Sequence, residues 1–212
     1  MNFIFYNNDN QVNMKIMIIL GITGSIGMGK TTVARQFASF GIPVFNADKT
    51  AHEILNNSDV VEEIGGLFPA VIDGDIINRA KLGDIVFNSR EELAKLEEIL
   101  HPIIRRKMEE FISANSGEKI ILLDIPLLFQ TGWDKLCDYT IRVKAPHFIQ
   151  KIRVMKRPHM TEEKFKHILS QQENHHKTDF TIQTGFGMWY SMRQIKRILN
   201  LLQTQNPTYS EG

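Results

Sequence analysis

The sequence predicts an α/β fold: a doubly wound parallel sheet of about five strands with helices on its faces. Three observations lead there. Short unbroken apolar runs, rich in isoleucine and leucine, recur along the chain and read as strands buried on both faces. Stretches with helical spacing of apolar residues separate them, and strands alternating with helices make a parallel sheet. With 212 residues, 42% of them hydrophobic and 23% charged, the chain is long enough for one well-buried core and a smaller appended lobe.

The elements follow in order. Residues 1–16 read as an N-terminal extension: the first thirteen are rich in asparagine and lack the basic region and long apolar block of a secretory signal. Met1, Met14 and Met17 stand as alternative starts. The apolar run at residues 16–23 is the first strand, interrupted only by Gly21 before a glycine-rich turn. Residues 30–40 carry Val33, Phe37 and Phe40 at helical spacing, and Gly41 stops that helix. Residues 42–46, entered through Pro43, give a short second strand. A helical stretch over residues 49–64 ends at Gly65 and Gly66. After the turn Asp73-Gly74-Asp75, an interrupted helical region covers residues 78–114, and Pro102 inside it predicts a break or kink. Residues 119–125 are the clearest buried strand and residues 139–143 another. A helix opens at Pro146. Residues 180–184 form the last strand, and residues 191–202 close the fold as an amphipathic helix with Met192, Ile195, Leu199 and Leu202 on one face.

Composition sets bounds on function. A formal net charge of +1 gives no global reason to bind nucleic acid or a membrane surface. No apolar stretch reaches the ~20 residues of a membrane span. A lone cysteine, Cys137, forms no intramolecular disulfide and suits a reducing cytoplasm. It reads as a small side chain at a strand entrance, since no basic partner stands beside it to activate a thiol.

The chemistry concentrates at Gly24-Ser25-Ile26-Gly27-Met28-Gly29-Lys30-Thr31, which fits G-x-x-x-x-G-K-[ST] between a buried strand and a helix. Glycines let the backbone curl so that successive N–H groups meet phosphate oxygens, helped by the positive end of the helix. Lys30 should reach the β- and γ-phosphates and Thr31 should ligate Mg²⁺, which makes ATP the expected co-substrate and the fold a P-loop kinase type. Asp48, just past the second strand, either accepts a proton from an attacking hydroxyl, helps place Mg²⁺, or caps the helix beginning near Lys49. Asp124 ends the third core strand and is either a second magnesium-binding acid or a solvated strand end. Gln150, Arg153 and Arg157 share a helical face, with Arg142, Lys151 and Lys156 adding charge nearby. Arginine forks suit transferring phosphoryl groups, so residues 157–178 read as a lid that carries this charge over ATP. His167, His175 and His176 lack the spacing of a metal site.

Taken together, the segments resemble the dephospho-coenzyme A kinase family over about residues 18–202. The resemblance rests on the glycine-rich segment from Gly21 to Thr31, on Phe45-Asn46-Ala47-Asp48, and on Arg79-Ala80-Lys81-Leu82. It continues through Leu96-Glu97-Glu98-Ile99-Leu100-His101-Pro102, Asp124-Ile125-Pro126-Leu127-Leu128-Phe129, Gln150-Lys151-Ile152-Arg153 with Arg157, and Asp179-Phe180 with Thr184-Gly185. It implies a P-loop core over residues 17–48 and 115–212, a helical substrate-binding region over residues 49–114, and a lid. It also implies transfer of the γ-phosphoryl group of ATP to the ribose 3′-hydroxyl of dephospho-CoA, with Mg²⁺, by a cytoplasmic monomer or weak homo-oligomer. On that resemblance Asp48, Lys30 and Arg153 are catalytic, and Thr31, Asp48 and Asp124 serve the metal. Gly24, Ser25, Gly27, Met28, Gly29, Lys30, Thr31, Thr32 and Arg157 bind the nucleotide, while Asp48, Arg79 and His101 bind the acceptor.

Three departures stand out. Asn46 replaces an acidic residue, Pro158 follows Arg157 where aspartate is frequent, and the stretch from Gln172 to Asp179 is about four residues short. Rival readings are a nucleoside or nucleoside-monophosphate kinase, a GTP switch, and a nucleotide-binding regulatory module. The sequence lacks the Asn/Thr-Lys-x-Asp guanine signature of a switch. Asp48, Lys30 and Arg153 together argue against a module without transferase activity.

Overall fold

Five strands make the main sheet: β1 (Ile18–Thr23), β2 (Val44–Asn46), β5 (Ile120–Asp124), β6 (Tyr139–Lys144) and β7 (Phe180–Gln183), ordered β2-β5-β1-β6-β7. A separate antiparallel hairpin pairs β3 (Ile72–Asp73) with β4 (Ile76–Ile77). The structure, a computed structural model, describes residues 17–158, 160–172 and 176–205, so the expected extension over residues 1–16 lies outside the described residues. These residues form two compact units: those up to Phe45 together with those from Asn115 onward, and Asn46–Ala114.

The first unit is built on β1, which pairs in parallel with β5 on one side and β6 on the other; β7 pairs in parallel with β6. β5 is buried along its whole length and β1 everywhere but Thr23, because helices cover both faces of a parallel sheet. Against them pack α1 (Lys30–Ser39) and α8 (Met188–Gln205), closing a core of Leu20, Ile22, Val33, Phe37, Leu122, Ile141, Ile182, Ile195 and Leu202. Each such side chain contributes about 1.5–3 kcal/mol by leaving water. Gly21 sits mid-strand for a packing reason: a Cβ there would meet Cys137 Sγ at 2.5 Å and Leu128 Cδ2 at 2.9 Å.

Two carboxylates complete the ladder where strands enter. Asp138 Oδ2 accepts from the Ile19 N–H at 2.7 Å, and Asp179 Oδ2 accepts from the Thr140 N–H at 2.7 Å and its hydroxyl at 2.8 Å. The inner face of α8 differs from the expected one. Ser191, Ile195, Ile198, Leu199 and Leu202 are buried, whereas Met192 is 37% exposed. The reason is polar: Ser191 donates to Gln36 Oε1 at 2.9 Å, and Gln36 Nε2 donates to the Met188 carbonyl at 3.1 Å, a clasp between α8 and α1 that sets the helix's rotation.

The second unit holds α2 (Ala47–Ile54), α3 (Ser58–Leu67), α4 (Arg79–Asn88) and α5 (Arg90–Ala114). The expected single helix over residues 49–64 is two, because the Asn57 side chain accepts from the Asp59 N–H at 3.0 Å and starts a new one. Gly65 and Gly66 lie in the last turn of α3, which ends one residue later at Leu67. A Cβ on Gly65 would meet Ile72 Cγ1 at 3.1 Å, so the glycine lets the helix pass close over the hairpin. α5 runs unbroken for 25 residues through Pro102, where a break or kink was expected. Buried Leu96, Ile99 and Leu100 before the proline, and Ile104, Met108 and Ile112 after it, hold one apolar stripe on both sides and offset the missing N–H. Among the described residues no helix is long and apolar enough to cross a membrane.

Candidate active site

The glycine-rich loop leaves β1 at Thr23 and becomes α1 at Lys30. Gly27 (φ 75°) and Gly29 (φ 93°) take left-handed backbone that L side chains rarely adopt. Gly29 is the N-cap and offers no side-chain bond to the helix start, so the first-turn amides keep their capacity for an anion. The loop's carbonyls are held from behind. Gln150 Nε2 donates to the Ile26 carbonyl at 2.8 Å, the Thr184 hydroxyl to the Met28 carbonyl at 2.6 Å, and Arg153 Nη1 to the Gly27 and Met28 carbonyls at 3.4 Å each. In a trans peptide the C=O and the following N–H point opposite ways. Pinning Ile26 and Met28 through their oxygens therefore turns the Gly27 and Gly29 N–H groups to the other side, where a phosphate can sit.

Lys30 Nζ lies 2.5 Å from Asp124 Oδ1, with side chains 14% and 1% exposed. Asp124 is thus a buried, ion-paired carboxylate and not a solvated strand end. Register explains the meeting: Asp124 pairs with Ile22 near the end of β1, so both strands deliver their termini to the loop. Thr31 and Thr32 are exposed on the first turn of α1. The Thr31 hydroxyl and Asp124 carboxylate are hard oxygen donors of the kind Mg²⁺ takes. Among the described residues no cluster of three His, Cys, Asp or Glu side chains could hold a metal. Magnesium that arrives on nucleotide phosphates needs only one or two protein oxygens, so this donor set fits it.

The expected basic face is arranged differently. α6 (His147–Met155) ends before Arg157, which is exposed in the following turn and so does not share the helix face of Gln150 and Arg153. Gln150 is 2% exposed and braces the loop; Arg153 binds Thr184 twice, Nη1 to the hydroxyl and Nη2 to the carbonyl, both at 2.8 Å. Within the expected lid lies α7 (Glu162–Gln172). Lys151 of α6 bonds Glu162 at 2.8 Å and holds that carboxyl below the usual carboxylate range. Phe165 is buried beside the His147 ring. The last residue of α7, Gln172, bonds the loop itself. Of the histidines, His175 lies outside the described residues, and the His176 ring stacks on Phe129 at 4.6 Å.

Asp48, Arg79 and His101 belong to the second unit. The Asn46 side chain caps α2 by accepting from the Lys49 N–H at 2.7 Å, so Asp48 is not the cap; it is exposed in the first turn. Arg79 Nη2, at the start of α4, donates to the His52 carbonyl at 2.9 Å and Asn56 Oδ1 at 3.0 Å, tying α4 to the end of α2. His101 is half-buried on α5, against which both helices pack. Sequence reasoning gave Gln172 only a place in the lid and Thr184 only a place in a family-like segment, with no contact to the loop for either. Thr184 follows the last core strand at the sheet edge where ligands of open α/β folds bind, and that position was the available signal.

A loop that turns its amides away from its own supports, with a lysine at its exit, is built to hold polyphosphate. With this sheet order, the molecule is a P-loop kinase, and comparison with known proteins narrows the class. The sequence model of the dephospho-CoA kinase family matches residues 18–183. Over 194 residues the chain is 42% identical to the dephospho-CoA kinase of Bartonella quintana, covering 88% of this chain and 100% of that one. Among solved structures it is similar to TT1252 from Thermus thermophilus, with TM-score 0.77, 32% identity, and 88% and 98% of the two chains covered. It is also similar to dephospho-CoA kinase from Campylobacter jejuni, with TM-score 0.64, 29% identity and the same coverage. The chain belongs to the dephospho-CoA kinase family.

Proposed function

We propose that the chain transfers the γ-phosphoryl group of ATP to the ribose 3′-hydroxyl of dephospho-CoA, giving coenzyme A and ADP. The observation that carries this reading is the loop with its carbonyls pinned from behind and Lys30 held at its exit by buried Asp124. Family membership supplies the acceptor.

In this mechanism the Gly27 and Gly29 amides and Lys30 hold the β- and γ-phosphates. Asp48 takes the proton of the 3′-hydroxyl, whose oxygen forms the new bond to γ-phosphorus as the bond to the β–γ bridging oxygen breaks. ADP leaves with that electron pair. Thr31 and Asp124 would hold Mg²⁺, which when bound neutralises charge on the β- and γ-oxygens. Arg153 serves transfer through the loop, holding the Gly27 and Met28 carbonyls and Thr184 from behind, and Arg157 with α7 forms the lid that excludes water. Arg79 and His101 line the acceptor region of the helical unit, which makes residues 49–114 the substrate-binding region. The reading places the chain in the cytoplasm, working as a monomer or weak homo-oligomer.

A coupled ADP-release assay with Mg·ATP, comparing dephospho-CoA with adenosine, AMP and no acceptor, tests it. Release that requires dephospho-CoA is expected; release with AMP or adenosine instead would overturn the acceptor assignment. Asp48→Asn should keep ATP affinity while turnover falls ~10²–10⁴-fold, the range lost with a general base. Undiminished turnover in that variant removes Asp48 from the base role.

A further inference from the structure

The carbonyls of the loop are braced by α6 and Thr184, but its first turn is held by a different element. Gln172, the last residue of α7, accepts the Ser25 hydroxyl at 2.9 Å and the Ile26 N–H at 2.8 Å on one atom, Oε1. The orientation of that side-chain amide follows from chemistry, because a backbone N–H only donates and must face oxygen. The Ile26 residue is thus gripped at both ends: its N–H by Gln172 of α7, its carbonyl by Gln150 of α6. Gln150 is 2% exposed and belongs to the fixed framework, whereas Gln172 is only half-buried. α7 is joined to α6 by the exposed Lys151–Glu162 pair, which adds little, and by Phe165. Its terminal hold on the loop is a pair of hydrogen bonds that can be made and broken without disturbing a core.

We propose that Gln172 is a positioning residue for phosphoryl transfer: through the Ser25–Ile26 turn it makes the nucleotide-binding shape of the loop depend on the docking of α7. The inference rests on the functional reading above. When a binding-competent shape is only partly populated, apparent affinity falls by that fraction. Two neutral hydrogen bonds are lost in Gln172→Leu, so the Kd for ATP should rise roughly 5- to 20-fold. KM for dephospho-CoA and the melting temperature should stay near wild type, since Gln172 touches neither the acceptor residues nor the core.

The test is a double-mutant cycle of Gln172→Leu and Ser25→Ala, read by calorimetric titration of Mg·ATP without acceptor and by the KM of each substrate. Ser25→Ala should weaken ATP binding less on top of Gln172→Leu than in the wild-type background, because the two share one bond. Affinity within about twofold of wild type in Gln172→Leu, or additive effects of the two changes, would overturn the proposal. Tighter ATP binding would overturn it as well, by making Gln172 a competitor of phosphate. Should the wild type bind ATP and show the cycle yet fail to phosphorylate dephospho-CoA, the functional reading falls and the coupling of α7 to the loop stands.

Discussion

Replacing Asp124 by alanine strips the Lys30 ammonium of the carboxylate 2.5 Å away. Removing one partner of a buried pair costs about 3–5 kcal/mol, because the remaining charge stays away from water uncompensated. Lys30 retains 14% exposure and so recovers some hydration, which places the cost near the low end, about 3 kcal/mol. For a chain of this length that is a fall in Tm of roughly 6–12 °C by scanning calorimetry. Asp124→Asn, which keeps an oxygen facing Lys30 but no charge, should fall less. Phosphate can replace the lost counter-charge, so excess ATP without metal should raise the Tm of Asp124→Ala more than that of wild type. Turnover should nevertheless drop in both variants, since on the proposed mechanism Asp124 would also hold Mg²⁺. A Tm within about 2 °C of wild type in the alanine variant would refute the reasoning, because it would mean that the folded site does not depend on the pair for its stability.

Two further outcomes follow from the same geometry. Gly27→Ala puts a Cβ 2.5 Å from Val154 Cγ2 and 2.9 Å from the Gln150 carbonyl at a φ of 75°, and left-handed backbone alone costs about 1–2 kcal/mol; titration should show ATP affinity falling tenfold or more, and wild-type affinity would contradict the loop's seating. The Cys137 thiol is pushed up to about 12 by burial first and by Asp138 and Asp134 second, so it should resist thiol reagents at pH 8 until the chain unfolds. Its folded value lies above the unfolded one, so it favours the native state below pH 9 and this contribution is lost as pH climbs toward 12. Labelling of the folded chain at pH 8 as fast as that of the unfolded chain would contradict it.

What the sequence made legible was local. β1 and β5 are continuous apolar runs because both faces are covered, and the glycine-rich loop carries its whole signature in eight consecutive residues. Misreadings arose where tertiary contacts outweigh local preference. Gly65 stays within the last turn of α3 where the helix passes close over Ile72, and Pro102 is carried through by a buried stripe on both sides of it. Met192 lost its place on the inner face of α8 to Ser191, whose partner Gln36 is 155 residues away. The supports of the site were hidden for the same reason. Thr184 meets Met28 across 156 residues and Gln172 meets Ser25 across 147, spacings that no window of periodicity contains. Asp48 was legible as a functional candidate, but only the structure shows that Asn46 has taken the capping role.

The central claim is the destination of one phosphoryl group. It is tested most directly by incubating the protein with Mg²⁺, ATP labelled at the γ-position and dephospho-CoA, then locating the label in the isolated product by phosphorus NMR and mass. One label per product molecule is expected, as a monoester at the ribose 3′-oxygen. Label recovered as inorganic phosphate, or at any other oxygen of the acceptor, would contradict it.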